Sequence, residues 1–168
     1  MPELIRLQAA HAPALLAFEL ANRAYFAASI PDRGDDFYDR FPDRHRALLL
    51  EQQAGFCAFY LLIEDADGLG RTEVLGRFNL YDLEDGTAQL GYRVAQHAAG
   101  RGVATAAVRQ LCELSAQRHG LRTLRAAAAD DNHASRRVLA KAGFVPVGPA
   151  APGELGGRAG SWYQRELS

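Results

Sequence analysis

The run Val94-Ala95-Gln96-His97-Ala98-Ala99-Gly100-Arg101-Gly102-Val103-Ala104-Thr105 constrains the fold more than any other part of the chain, because it reads as a strand end, a glycine-opened turn and a helix start. A helix start leaves four amide donors without intrahelical partners, and the macrodipole adds partial positive charge there. Glycines remove the Cβ atoms that would hold a phosphate away, so an anion is the natural guest. Ala104, Ala107, Val108, Leu111, Cys112 and Ser115 then recur at spacings of three and four, which predicts an amphipathic helix ending near His119-Gly120. Taken alone, the same Gly-x-Gly also fits a turn that binds nothing.

With 168 residues the chain is read as one domain, 1–168, large enough for a layered core without disulfides or a structural metal. A formal net charge of −1 and the lack of a basic run make nucleic acid a poor partner. The longest apolar run, Ala54 to Ile63, is too short to span a bilayer, and Met1-Pro2-Glu3 carries no basic leader, so a soluble cytoplasmic protein is expected. Cys57 and Cys112 both fall in apolar surroundings and read as core, and the five histidines show no ligand spacing, so no metal is expected. The sequence leaves open whether the chain acts alone or as a homodimer.

Along the chain, Glu3 to Leu7 suggests a strand and His11 to Ala28 a helix, broken by the acidic turn Pro31 to Asp36. A second helix is expected from Asp43, as N-cap, to Gln53. Gly55 to Glu64, Val74 to Tyr81 and Thr87 to Val94 read as an antiparallel meander, with hairpin turns at Asp65 to Gly70 and at Asp85-Gly86. Thr123 to Ala129 is ambiguous, since its alanines favour helix while its length favours strand. Asp130-Asp131-Asn132 caps a short helix closed by Gly143, and two last strands are expected at Phe144 to Gly148 and Ser161 to Leu167, joined by a loop from Pro149 to Gly160.

Three segments now stand in order: Leu90-Gly91-Tyr92-Arg93-Val94, then Ala99 to Thr105, then Asp131-Asn132-His133-Ala134-Ser135-Arg136 with Lys141-Ala142-Gly143-Phe144. This order resembles the GNAT superfamily of acyl-CoA-dependent N-acetyltransferases, most closely its branch of ribosomal-protein N-terminal acetyltransferases. The resemblance implies an α/β (α+β) fold: a central, mixed, mostly antiparallel sheet, splayed between its fourth and fifth strands and flanked by about four helices. It settles Thr123 to Ala129 as a strand. It also implies acetyl-CoA as co-substrate, its diphosphate on the amides of Ala99, Gly100, Arg101, Gly102, Val103, Ala104 and Thr105, its pantetheine arm along Tyr92, Arg93 and Val94, with Asn132 and Ser135 also in contact. The family often has Gln or Arg where Ala99 stands, which leaves Arg101 as a side-chain helper for the phosphates.

The commonest catalytic acid of the superfamily, a tyrosine shortly before the Gly-Phe pair, is replaced here by Leu139. In the ribosomal-protein branch a serine three residues after the asparagine is the candidate donor to the departing thiolate, and Ser135 matches it. The branch's proposed base, a glutamate eleven residues after the glycine of that pair, falls on Glu154. An α-amine with a pKa of about 7.7 to 8.0 is partly neutral at physiological pH, so a weak base working through water suffices. A backbone N–H near Tyr92 to Val94 would meet the oxyanion. Asp32, Asp35 and Asp36 lie in a loop that in this family borders the acceptor groove, where their field would attract a cationic amine, with Tyr38, Phe37 and Phe41 as walls.

Three other readings stand beside this one. Gly100 to Thr105 with Asp130 echoes a dinucleotide fingerprint, but Thr105 replaces the third glycine and a meander precedes the motif. A non-catalytic acyl-CoA-binding module would keep the same phosphate site. The same chemistry on a small amine, such as an antibiotic, polyamine or amino acid, differs only in the acceptor.

Overall fold

The computed structural model describes residues 2–168. One seven-stranded sheet runs through it in the order β1-β2-β3-β4-β5-β7-β6. The strands are β1 (Glu3–Arg6), β2 (Ala58–Asp65), β3 (Thr72–Glu84), β4 (Thr87–Val94), β5 (Thr123–Ala129), β6 (Val145–Ala150) and β7 (Gly160–Glu166). Among the described residues only β4 and β5 pair in parallel, so the sheet is mixed and mostly antiparallel, and the dinucleotide-binding alternative falls with that topology. The helices are α1 (Ala12–Ala21), α2 (Arg23–Ala27), α3 (Asp35–Asp39), α4 (Phe41–Gln53), α5 (Val103–His119) and α6 (His133–Lys141). Among the described residues no helix is long and apolar enough to cross a membrane.

β2 and β3 are buried continuously from Ala58 to Leu62 and from Val74 to Leu80, the pattern of strands covered on both faces. Alternation sorts their side chains between two helical layers. On one face Tyr60 reaches α5, its hydroxyl 2.8 Å from His119 Nε2, and Tyr92 stacks on Phe78 and reaches α6. On the other, the paired Arg77 and Arg93 both meet Glu19 of α1. The β3–β4 hairpin turns on Asp85 and Gly86, whose φ values of 51° and 77° give the two-residue turn that matches the strand twist.

Several expected boundaries move. The first helix is interrupted at Asn22, whose Nδ2 donates to Phe18 O while its Oδ1 accepts from Gln96 N; this side chain breaks the helix and ties the break to the segment after β4. Asp43 is not an N-cap: α4 starts at Phe41 with Pro42 in its first turn, and Asp43 pairs with Arg46. The end of the acidic turn, Asp35 and Asp36, belongs to α3, which buries Phe37 against Phe41. Part of the Pro149 to Gly160 loop belongs to β6 or to a tight 3-10 turn at Pro152–Leu155. β4, α5, β5 and α6 form where the sequence places them. Cys57 and Cys112 are free and buried, and burial pushes both thiols up.

Candidate active site at the sheet split

The β4–β5 pairing covers only Thr87 to Gln89 against Thr123 to Arg125, after which the two strands share no further pairs. The edge of β4 is therefore open from Leu90 onward. Ala95 N–H donates to Leu75 O, which fixes the antiparallel alternation: Arg93 and Gly91 spend their peptide groups on β3, while those of Tyr92 and Val94 point into the gap. An extended ligand arm can add there as a short strand. Arg93 differs from the sequence expectation, since its main chain is engaged by β3 and only its side chain faces the site.

At the mouth of the gap, Gly100 and Gly102 hold φ values of 77° and 75°, and a Cβ built on either meets nothing within 4 Å. The left-handed backbone needs glycine, and the open space lets a ligand approach the main chain. Among the described residues the amides of Gly100 to Thr105 make no backbone hydrogen bond, and Ala106 N–H is the first to close on Gly102 O. They crown the 17-residue α5, so an anion meets both free donors and the helix dipole.

A cavity of about 380 Å³ joins these features. The turn supplies one wall from Ala98 to Thr105, β4 supplies Tyr92 to Val94, and α6 supplies Asn132, Ser135, Val138 and neighbours. Tyr25, Phe26, Ser29 and Ile30, from α2 and the turn after it, close the far side. Two cations that sequence reasoning missed, Arg137 and Lys141, also line it. Their spacing of one helical turn, downstream of a capping asparagine, was the available signal. Arg101 does not line the cavity; its guanidinium lies 3.9 Å from Glu64 on β2.

Asn132 caps α6, its Oδ1 accepting from Ser135 N at 3.2 Å, and so fixes the first turn that carries Ser135. Ser135 Oγ lies 3.0 Å from the Tyr92 hydroxyl, which spans the gap from β4 to α6. Burial pushes the Tyr92 phenol up to about 12, with the Ser135 hydrogen bond acting the other way. Leu139 is fully buried and takes no part in the cavity.

Glu154 and the acidic loop lie outside this cavity. Glu154 is exposed; its Oε2 accepts from Ala151 N at 3.0 Å and from Trp162 Nε1 at 3.1 Å, while Oε1 has no protein partner among the described residues. Its loop borders the far wall, where Arg158 Nη1 donates to Ser29 O at 2.7 Å. The carboxylates of the α2–α3 loop are already engaged. Arg23 forks onto Asp32 and reaches Asp35 at 2.8 Å, and Asp36 pairs with Arg40 and lies 3.9 Å from Arg44. The Arg23 guanidinium and the Gly34 amide hold Asp32 down to about 2. Tyr38 lies under the same guanidinium, 4.3 Å from its ring centre. The attractive field expected for a cationic amine is thus largely cancelled. Among the described residues no group of three His, Cys, Asp or Glu side chains is placed to hold a metal.

A model described as the acetyltransferase (GNAT) domain matches residues 3–145. No curated protein is similar to the chain at a significant level. Among solved structures, the ribosomal-protein-S5-alanine acetyltransferase from Vibrio fischeri superposes with a TM-score of 0.89 at 17% identity, over 99% of this chain and 93% of that one. A ribosomal L7/L12 α-N-protein acetyltransferase in complex with coenzyme A gives 0.84 at 22% identity, over 99% and 94%. A Mycobacterium smegmatis relative in complex with CoA-disulfide gives 0.82 at 24% identity, over 97% and 80%. The split sheet, the free amides before α5 and a domain match over most of the chain lead to one assignment: this protein belongs to the GNAT family of acetyltransferases, which use acetyl-CoA.

Proposed function

We propose that the protein acetylates the α-amine of a protein N-terminus, with acetyl-CoA and acceptor bound together and the amine attacking directly. The observation that carries this reading is the Tyr92–Ser135 hydroxyl pair, set between the free amides of the α5 turn and the outward peptide groups of β4. Acetyl-CoA supplies an activated acetyl group and a thiol leaving group. The residues of Gly100 to Thr105 bind its diphosphate, with Arg137 and Lys141 adding charge along α6. The Tyr92 and Val94 peptide groups orient the extended arm and leave an N–H for the carbonyl oxygen.

Ser135 donates to the departing sulfur. Tyr92, neutral at any working pH, donates to Ser135 Oγ and so turns the serine hydrogen toward the gap. Ser135 stabilises the leaving thiolate by hydrogen bonding and does not give up its proton, and Tyr92, pushed up to about 12, stays protonated behind it. Glu154 Oε1, on the loop beside the far wall, takes the proton that the amine loses, through water. The proton balance closes when the thiolate takes one proton from solvent.

The structural relatives named as ribosomal-protein acetyltransferases, together with Leu139 in place of a catalytic tyrosine, support a protein N-terminus over a small amine. Thiol release from acetyl-CoA tests it. Peptides beginning with Ala or Ser should give the highest kcat/KM among peptides, polyamines and aminoglycosides. Turnover of polyamines or aminoglycosides without turnover of peptides would overturn the acceptor, and thiol release with none of them would overturn the catalytic reading.

A further inference from the structure

On the α1 side of the sheet, three guanidinium groups surround one carboxylate. Glu19 of α1 is fully buried; its Oε1 lies 3.1 Å from Arg77 Nη1 and its Oε2 lies 3.1 Å from Arg93 Nη1 and 4.0 Å from Arg33 Nε. One arginine would suffice to neutralise Glu19, and the further two leave excess positive charge in a poorly hydrated place. Arg77 is 4% exposed, and among the described residues neither its Nε nor the Oδ1 of the buried Asn79 has a partner. The cluster is not sealed. Arg93 lines the cavity with 16% of its side chain exposed, resting 4.7 Å over Phe26, and Arg33 keeps 34% exposed over Phe37. Burial first, then the fields of Arg93 and Arg77 acting against that of Glu19, push the Arg33 guanidinium down from its usual value.

Alternation puts this charge at the reacting edge. Tyr92 faces α6 and the hydroxyl pair, while Arg93, the next residue and the member of the cluster that lines the cavity, faces α1 and α2, so an amine entering from the α2 side meets Arg93 with Arg33 and Arg77 behind it. The acidic loop nearby cannot offset them, because Arg23, Arg40 and Arg44 engage its carboxylates.

We propose that the Arg33–Arg77–Arg93 cluster over Glu19 is an anion subsite that selects acceptors whose amine is accompanied by a negatively charged group, a carboxylate or a phosphate close to the attacking nitrogen. This deepens the acetyl-acceptor reading and rests on it. In the peptide form of the acceptor, the anion is an acidic residue directly after the N-terminal one; in a small acceptor it is a carboxylate or phosphate on the amine itself.

The experiment compares Ala-Glu-Ala amide, Ala-Gln-Ala amide and Ala-Lys-Ala amide with β-alanine and phosphoethanolamine, by thiol release from acetyl-CoA and by calorimetric binding to the coenzyme A complex. An anionic acceptor should exceed its neutral counterpart roughly tenfold or more in affinity or kcat/KM, with the lysine peptide lowest. Whether the acidic peptide or the small anionic amines dominate tells the two sources apart, and either supports the subsite. Arg33→Gln should flatten the preference while coenzyme A affinity stays unchanged. Selective binding of the anionic compounds without turnover would support the subsite and overturn the acetylation of N-termini. Equal binding of the Glu and Gln peptides with no preference for the small anionic amines, or a preference for the Lys peptide, would overturn the subsite whether or not thiol is released.

Discussion

The Tyr92 hydroxyl stands 3.0 Å from Ser135 Oγ, linking β4 to the first turn of α6 across the place where the sheet opens. Removing either hydroxyl leaves the free amides of the α5 turn untouched. Ser135→Ala should therefore lower kcat roughly 10- to 100-fold with little change in coenzyme A affinity, and Tyr92→Phe should lower it less. Steady-state kinetics with parallel calorimetry check this, and an unchanged kcat in Ser135→Ala would remove the serine from the chemistry.

The pH dependence follows from two groups. A neutral amine is required, so kcat/KM should rise with pH through about 8, the range of an α-amine. Tyr92, pushed up to about 12, stays protonated throughout, so no fall should follow below about pH 11. A descending limb between pH 8 and 10 in kcat/KM would show that Tyr92 is not the neutral donor.

Glu154→Gln retains the hydrogen bonds that Ala151 N and Trp162 Nε1 give to the side-chain oxygen but removes the proton acceptor. Its kcat/KM should fall most below the acceptor's pKa and recover as pH rises. A profile parallel to that of the unaltered protein, with unchanged stability, would reduce Glu154 to a residue that orders its loop.

Glu19 is an anchor for α1 as well as the centre of the arginine cluster. Glu19→Ala leaves Arg77 and Arg93 without their buried partner and should cost about 3–5 kcal/mol of folding stability. Denaturant unfolding measures it, and a loss below about 1 kcal/mol would mean that water or another anion already balances these arginines.

The parts of the fold that could be read from sequence are those set by local chemistry. Asp85-Gly86 can be read as a turn because Gly86 is at φ 77°, and α5 is bounded by two left-handed glycines, Gly102 and Gly120. The alanine run of β5 was not decided by propensity; pairing with β7 from Thr123 to Ala129 makes it a strand, a tertiary effect that resemblance alone anticipated. The break at Asn22 is not legible in the sequence because the hydrogen bond that holds its side chain comes from Gln96 N, 74 residues away. The arginine cluster is hidden in the sequence for the same reason, although Glu19 carries a signal: it sits with Leu15, Phe18 and Asn22 at helical spacing on the buried face, where a carboxylate demands a cation. The Asp32, Asp35 and Asp36 cluster misled because its arginine partners are read only in three dimensions.

A crystal structure of the protein grown with coenzyme A would show directly which main-chain groups hold the diphosphate. The diphosphate should lie within hydrogen-bonding distance of the amides between Gly100 and Thr105, and the pantetheine arm should pair with Tyr92 and Val94. Coenzyme A bound elsewhere on a correctly folded chain, with those amides facing only water, would contradict it.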